Sequence, residues 1–306
     1  MTLARIGVVL SSGGGRGICA HTGFLLALQN LGIEISAIAG CSAGAIVGGI
    51  VASGTDLRQW SEVIANVQER EYWTPDSWPQ LAWQVMVKKG RGYSGLSDTE
   101  AAIAFCRRNL AVQTFEECRI PFYSLALDLA RGAKVLFSEG ELAPRMMASA
   151  AIPLLYRPVN IEGKWYADGA VIDLAPTDAI CCKHHLDALI VHHTSSRCES
   201  KESVASAMNQ PWSLVKILQL SIYHQRPWYL SDQPLAFNSC RCGCGALIVV
   251  LEPELPESTW PLHTGGHHIQ AAAMSQTLAK LQPYVKKLMS KPTELLPSQT
   301  HQDRSK

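Results

Sequence analysis

Two kinds of hydrophobic pattern alternate along the first part of the chain. Ile6–Leu10 is an uninterrupted apolar run of strand length, and within residues 21–31 the apolar positions recur at helical spacing. A second apolar run begins at Ile35 and passes, without a charged residue, into a run of small residues that ends at Ala52. Strands that alternate with helices are typical of an α/β protein with a parallel sheet, and the pattern predicts that class.

The later pattern extends this alternation almost to the end of the chain. Further strands are predicted at residues 120–128, 134–137, 157–161, 164–170, 187–193 and 246–251. Further helices are predicted at residues 97–110, 142–150, 212–222 and 270–289, the first of them opened by a capping-box spacing from Ser97 to Glu100. We therefore predict a three-layer α/β fold, with a mostly parallel sheet between helices, in a single domain over residues 1–290. Residues 291–306 are polar, hold two prolines and are predicted to form a flexible tail.

Composition and charge narrow the classes of function. Of the 306 residues, 47% are hydrophobic and 17% are charged, which favours a globular core over disorder. The formal net charge is +1, so the chain lacks the basic footprint of a nucleic-acid-binding protein. Residues 35–55 carry no charge, yet their five glycines favour a close-packed helix over a membrane span. We expect neither a nucleic-acid partner nor a membrane span.

The N-terminus and the cysteines indicate a reducing compartment. Residues 6–10 form a strand that leads into glycines, without the small-residue cleavage site of a secretory signal. Ten cysteines in a chain without such a signal are expected to be reduced thiols. We therefore expect a cytoplasmic protein without disulfides, and the sequence leaves its oligomeric state undefined.

The strand-to-helix turn at Gly40–Gly44 carries the first candidate chemistry. Its residues match G-x-S-x-G, in which a serine stands at the tip of a strained turn and a glycine lies two positions to either side. Side chains at Gly40 and Gly44 would strike the neighbouring strand and helix. The pattern makes Ser42 a candidate nucleophile, whereas the plain alternative is an ordinary turn.

A second glycine-rich turn follows the first predicted strand. Such a turn exposes backbone N–H groups beside a helix N-terminus, which suits a nucleotide phosphate or the oxyanion of an acyl-transfer intermediate. The dinucleotide pattern G-x-G-x-x-G fails because Ile18 stands where its last glycine is needed, and the Walker A motif is missing. An oxyanion hole formed by Gly13, Gly14 and Gly15 is the better interpretation.

A serine nucleophile needs a base, and polar residues that end strands are the candidates for it. Asp168 ends a predicted strand, and Gly169 permits a turn that aims the carboxylate away from it. Asp128 also ends a strand, but an aspartate that opens a turn has an ordinary structural explanation. His192 and His193 offer a rival catalytic triad with Ser42 and Asp168, although only one strand precedes the serine here, fewer than in α/β-hydrolases.

Two other groups of residues allow more than one interpretation. Six aromatic residues between Trp60 and Tyr93 are typical either of core packing or of a lid or membrane-interface belt. Cys240, Cys242 and Cys244 could bind zinc with a histidine, His224, His263, His267 or His268, as fourth ligand. Because C-x-C-x-C is tighter than the usual zinc spacing, buried or edge thiols are favoured, and we predict no metal and no cofactor.

Taken in order, these motifs resemble those of the patatin-like phospholipases, of the bacterial cytoplasmic type. The resemblance covers about residues 5–255 and is carried by the glycine loop, the serine elbow, residues 148–153 and the sequence Asp168-Gly169-Ala170. One departure lies in the glycine loop, where Gly17 occupies the family's basic position and Ile18 its last glycine, so the resemblance assigns no role to Arg16.

The resemblance implies a lipid acyl hydrolase. Its substrates would be fatty-acyl esters of phospholipids or lysophospholipids, and its catalytic dyad Ser42 and Asp168. Separately, the absence of a predicted span and the near-zero net charge lead us to expect only peripheral contact with lipid, through the region from Trp60 to Trp83. Two alternatives remain open at the level of sequence. One is an acyltransferase that uses the same acyl-serine, and the other is a non-catalytic regulatory protein with this fold.

Overall fold

The computed structural model of the protein describes residues 3–194, 209, 213, 227–231, 233–256 and 266–296. Within these ranges the α-helices are α1 (Gly14–Asn30), α2 (Ala43–Ala52), α3 (Leu57–Asn66), α4 (Trp78–Met86), α5 (Glu100–Asn109), α6 (Leu142–Ala150), α7 (Gly266–Leu281) and α8 (Val285–Ser290). The strands are β1 (Ile6–Leu10), β2 (Ile35–Cys41), β3 (Gly95–Ser97), β4 (Phe122–Asp128), β5 (Ala133–Phe137), β6 (Leu154–Tyr156), β7 (Val159–Ile161), β8 (Lys164–Asp168), β9 (Ala188–His192), β10 (Leu235–Ser239) and β11 (Leu247–Leu251).

One large sheet forms the centre of the molecule. Its strand order is β10-β11-β9-β1-β2-β4-β8-β7, and β5 pairs with the free edge of β4. The five strands from β11 to β4 run parallel, whereas β10, β5, β8 and β7 are joined to their neighbours antiparallel. The predicted class, an α/β protein with a mostly parallel central sheet, is confirmed.

The central strands are buried on both faces, and alternate residues enter different cores. In β1, for example, Val8 and Leu10 pack among the helices, whereas Val9 packs on the opposite face. That second face is covered by residues 174–186, with Ile180 among its fully buried side chains, and by Tyr229. Burial on both faces explains why these strands appear in the sequence as continuous apolar runs.

Helix α1 lies against the C-terminal helix α7, and Gly23 makes this close approach possible. A Cβ at Gly23 would overlap the backbone of Gln270. A glycine inside a helix costs about 1 kcal/mol relative to alanine, and here it allows two backbones to touch. Since α1 also begins directly after β1, the packing fixes the position of the helix start beside the sheet.

Several predicted boundaries differ from those observed. Helix α1 starts at Gly14, well before residue 21, because its first turn consists of three glycines and Arg16 and has no apolar periodicity. The helix predicted at residues 270–289 is broken by a 3₁₀ turn at Gln282–Tyr284, where Pro283 lacks the amide that a continuous helix needs. The predicted tail begins with another 3₁₀ turn at Pro292–Leu295.

The capping box predicted from Ser97 to Glu100 is wrong. Ser97 is the last residue of β3, and its hydroxyl donates to Asp98 O while it accepts from Thr74 N. Helix α5 begins at Glu100 with Thr99 at its N-cap. The helix predicted at residues 212–222 and the end of the tail, residues 297–306, lie outside the described residues. Strand β10 was not predicted.

Candidate active site

Ser42 stands at the junction between β2 and α2 with φ 53° and ψ −117°. A non-glycine residue adopts this conformation only when the surrounding structure enforces it. The flanking glycines provide that environment, because a Cβ at Gly40 would overlap the backbone of Gly44, and a Cβ at Gly44 would overlap Leu10 O of β1. The G-x-S-x-G pattern is therefore a packing requirement of the turn in this chain.

The register on β4 explains how Asp168 reaches this serine. Cys41, the last residue of β2, pairs with Leu125, and Asp168, the last residue of β8, pairs with the next residue, Ala126. Because β5 occupies the other edge of β4, β2 and β8 lie end to end along the same edge. The two strands run towards each other, so their carboxyl ends meet beside β4.

The side chains of Ser42 and Asp168 are hydrogen-bonded. Ser42 Oγ donates to Asp168 Oδ2 over 2.7 Å, and Asp168 Oδ1 accepts from Ala170 N over 2.8 Å. Asp168 is fully buried and Ser42 is 3% exposed. Burial raises the pKa of Asp168 to about 7, against the two hydrogen bonds, which lower it. A carboxyl group with this pKa can accept a proton from the hydroxyl group near neutral pH.

The end of α6 supports both members of this pair. Ser149 Oγ accepts from Ser42 N over 2.9 Å, and Ala151 O accepts from Asp168 N over 3.0 Å. Helix α6 also packs against α2, where a Cβ at Gly49 would overlap Met146. Sequence reasoning did not assign a role to Ser149, although residues 148–153 were among the motifs that carried the family resemblance.

The glycine-rich turn lies directly against the serine elbow. Gly44 N donates to Ser11 O over 3.1 Å, and a Cβ on Gly17 would lie 3.0 Å from the Cβ of Ala43. Gly13 is the N-cap of α1, and the first hydrogen bond within the helix runs from Gly17 N to Gly13 O. The amides of Gly13, Gly14 and Gly15 therefore have no acceptor within the helix. They lie at the positive end of its dipole.

Two buried histidines hold this turn in place. His21 Nε2 is 2.8 Å from Ser11 O, so it must carry the proton, because a carbonyl only accepts. Burial lowers the pKa of His21 to about 4, so the ring is neutral and its Nδ1 accepts from His192 Nδ1 over 2.8 Å. Phe24 stacks on His192 with ring centroids 4.3 Å apart. No periodic pattern in the sequence indicates this pair.

The remaining candidates have structural partners elsewhere. His192 contacts His21, and His193 lies 3.3 Å from the Tyr229 hydroxyl, while Ser42 bonds Asp168 without an imidazole between them. Neither histidine is therefore placed to form a catalytic triad with Ser42 and Asp168. Asp128 Oδ1 accepts from Ala130 N and Arg131 N, so it shapes a turn, as its ordinary explanation predicted.

Arg16 has a structural contact in the first turn of α1. Its Nη2 donates to Leu255 O over 3.1 Å, which ties the start of the helix to the segment that follows β11. This contact places Arg16 in the support of the glycine-rich turn.

Comparison with known families and proteins agrees with this geometry. The family model described as patatin-like phospholipase matches residues 8–180, more than half of the chain. The protein belongs to this family. The matched region contains the glycine-rich turn, Ser42, Ser149 and Asp168.

Two relatives and one solved structure illustrate the similarity. An uncharacterized NTE family protein of Mycobacterium tuberculosis is 32% identical over 172 residues, 56% of this chain and 44% of that protein. Lysophospholipase NTE1 of Cryptococcus neoformans is 29% identical over 178 residues, 56% of this chain and 10% of that protein. The chain thus spans less than half the length of these relatives. VipD of Legionella pneumophila superposes with a TM-score of 0.50 and 14% identity over 92% of this chain and 67% of VipD, which shows a shared fold.

Proposed function

We propose that the protein is a serine acyl hydrolase that cleaves fatty-acyl esters of phospholipids or lysophospholipids. The observation that carries the proposal is the buried hydrogen bond between Ser42 Oγ and Asp168 Oδ2, within the region that matches the family. A hydroxyl nucleophile needs an adjacent base, and this carboxyl group is within reach. The name of the fungal relative supports a lysophospholipid as one substrate.

The first chemical step follows from the pair. As Ser42 Oγ attacks the ester carbonyl, its proton passes to Asp168 Oδ2, and the carbonyl oxygen becomes an oxyanion. Collapse of this intermediate breaks the ester bond, and Asp168 returns the proton to the departing alcohol. The same carboxylate then takes a proton from water, which attacks the acyl-serine. When the bond between Ser42 Oγ and the acyl group breaks, Asp168 gives this proton to Ser42 Oγ and the fatty acid is released. With a pKa of about 7, the carboxylate fraction falls about tenfold per pH unit below neutrality.

The glycine-rich turn supplies the backbone N–H groups that stabilise the oxyanion. The amides of Gly13, Gly14 and Gly15 begin a helix that packs against the elbow, and oriented amides stabilise an oxyanion without reorganisation. Removing one such donor typically costs about 10²-fold to 10³-fold in kcat. The two histidines keep Ser11 in position, so they act on the reaction only through the turn.

Release of fatty acid from defined lipids tests the activity. We expect wild-type protein to release fatty acid from a lysophospholipid or a diacyl phospholipid and Ser42→Ala to release none. Ser124→Ala is the matched control, because Ser124 is also buried and its hydroxyl donates to Arg145 O, away from the pair. If Ser42→Ala retains hydrolysis, the proposal is wrong. Acyl esters formed with an added alcohol in place of fatty acid would indicate the acyltransferase alternative.

We further propose that α4 makes the peripheral contact with lipid. The aromatic segment divides into two parts, since Trp60 and Trp73 are buried in the core, whereas Trp78 is 81% and Trp83 58% exposed. Exposed Met86 follows on the same helix. The helix carries no charged residue, and tryptophan on such a surface is typical of the membrane–water interface. Among the described residues no helix is long and apolar enough to cross a membrane.

Flotation with phospholipid vesicles tests this contact. We expect the wild-type protein to float with vesicles and to be released by carbonate, while Trp78→Ala combined with Trp83→Ala reduces the floated fraction. Trp165→Ala is the control, because Trp165 is 52% exposed but lies on β8. Equal flotation of the double variant and wild type would contradict a role for α4.

A further inference from the structure

Four cysteines from two distant segments meet at the surface. The Sγ atoms of Cys181, Cys182, Cys242 and Cys244 all lie within 4.8 Å of one another. Cys182 Sγ is 2.9 Å from Cys242 Sγ, and Cys181 Sγ is 3.6 Å from the sulfurs of both Cys182 and Cys242. The two pairs come from different segments, because 60 positions separate Cys182 from Cys242.

Hydrophobic burial does not explain this cluster. Cysteine often serves as a small apolar side chain, and Cys19, Cys41 and Cys106 do so here, each buried. In the cluster, by contrast, Cys182, Cys242 and Cys244 are exposed and only Cys181 is buried. Sulfurs at a surface gain little by packing against one another, so another reason for their convergence is needed.

The distances suit one metal ion with four thiolate ligands. A zinc–sulfur bond of about 2.3 Å in a tetrahedron places the sulfurs about 3.8 Å apart. The three separations among Cys181, Cys182 and Cys242 are 2.9 to 3.6 Å, a little shorter than this value, and those to Cys244 are at most 4.8 Å. The group therefore has the size of a site for a single ion. Four thiolates in a tetrahedral set favour zinc, and a closed set of four protein ligands is typical of a structural site.

The loop between β10 and β11 is shaped to present two of these ligands. Gly243 and Gly245 adopt positive φ of 76° and 79°, which allows a tight loop, and Cys240 N donates to Ala246 O at its base. Cys242 and Cys244 therefore alternate with glycines that turn the chain. Cys181 and Cys182 follow the 3₁₀ turn Thr177–Ala179 on the adjoining surface.

We propose that Cys181, Cys182, Cys242 and Cys244 bind one zinc ion in a structural site. Each ligand that is a thiol loses its proton to solvent on binding, and no electron is transferred. The ion ties the hairpin of β10 and β11 to the segment that covers the second face of the sheet. This set replaces the one considered from sequence, since Cys240 lies next to Cys242 Sγ, at 3.0 Å, but outside the group of four.

Metal analysis of the full chain tests the proposal directly. The protein is purified in reductant without chelator, and its zinc and iron are measured by mass spectrometry. We expect one zinc per chain in the wild type and in the controls Cys118→Ser and Cys240→Ser, which replace thiols outside the four ligands. Cys182→Ser and Cys242→Ser should each lose most of the zinc. Retention of zinc in both ligand variants, or loss in Cys240→Ser, would overturn the assignment.

A second measurement does not depend on the variants folding. Reduced wild-type protein is stripped of metal and titrated with cobalt(II), which reports a tetrahedral thiolate site by its intense visible absorption. The absorption should saturate at one equivalent and disappear when zinc is added. Failure to bind cobalt, stoichiometric iron in place of zinc, or a disulfide within the cluster of metal-free protein as purified would each contradict the proposal.

Discussion

The Ser42–Asp168 pair and the cysteine cluster lie at opposite ends of the sheet and are held in different ways. Ser42 follows the carboxyl end of β2, whereas Cys182 and Cys244 precede the amino ends of β9 and β11, which run parallel to it. Both sites join distant positions, 126 residues apart in the first and 60 in the second. The first is buried between strand ends, and the second is largely exposed on loops.

The two sites differ in the interactions that hold their side chains in position. At the first site the register on β4, the glycines of the elbow and the end of α6 fix both groups before any substrate binds. At the second site no strand pairing joins the doublet Cys181–Cys182 to the hairpin loop across the described residues, so the proposed ion would provide the link. We therefore expect the first site to fail when packing is disturbed and the second when metal is removed.

The largest effect is expected from a side chain added at the elbow. Gly44→Ala places a Cβ on Leu10 O, where neither backbone can move without disturbing two strands, so we expect destabilisation by more than about 4 kcal/mol. Gly132→Ala is the control, because its φ is also positive but nothing lies near its Cβ, and it should cost about 1 kcal/mol. Denaturant unfolding followed by circular dichroism measures both. Similar losses in the two variants would show that the close packing is unimportant.

The buried carboxyl group of Asp168 should make stability depend on pH. Its pKa is about 7 in the folded protein, against an ordinary value of 3.8, so the folded state keeps a proton that the unfolded state loses. The free energy of unfolding therefore falls as pH rises from about 4 to 7, by on the order of 4 kcal/mol. Asp168→Asn lacks this charge, and its stability relative to wild type should rise over the same range. A pH-independent difference, measured by unfolding at pH 4.5 and 8.5, would contradict the buried charge.

The same substitution should lower activity. Asp168→Asn keeps the shape of the side chain but removes the base, so kcat should fall on the order of 10²-fold or more. Hydrolysis of a short-chain p-nitrophenyl ester measures the effect. Asp128→Asn is the matched control, since Asp128 is a buried aspartate at the end of β4 whose carboxylate accepts from a turn. His193→Ala should also keep most activity, and a loss there equal to that of Asp168→Asn would favour the triad.

The smallest effect is expected on the rate of ester hydrolysis when the cysteine cluster is disturbed. Cys242→Ser should lower the thermal midpoint through loss of metal but leave the rate of ester hydrolysis at low temperature within about twofold, because the register on β4 does not involve the hairpin. A fall in kcat without a change in stability would mean that the two ends of the sheet are coupled.

Features encoded locally could be predicted from the sequence. A few consecutive residues are enough to identify the two glycine-rich turns and the apolar runs of β1, β2, β9 and β11. Burial on both faces restricts the strands to apolar residues, and backbone clashes restrict the turns to glycine. The proposed Ser42–Asp168 pair rested on motif order, and the structure supplies its physical reason, two strands that meet end to end beside β4.

Contacts that depend on tertiary packing could not be predicted. Ser149 and His21 are ordinary residues on helices, and only the packed structure brings them to Ser42 N and Ser11 O. Likewise, Cys181 and Cys182 form a doublet without a recognised ligand spacing, so the sequence pointed to histidines as partners of the hairpin cysteines. The break in the C-terminal helix could have been predicted from the sequence, because Pro283 marks it.

Covalent labelling by a fluorophosphonate, with the modified peptide mapped by mass spectrometry, is the most direct test of whether Ser42 is the nucleophile. The reagent phosphonylates an activated serine, and we expect a single modified residue, Ser42, in the wild-type protein. Labelling should be abolished in Ser42→Ala, much slower in Asp168→Asn and unchanged in Ser124→Ala. Modification of a different serine, or hydrolysis that persists after Ser42 is fully labelled, would show that Ser42 is not the nucleophile.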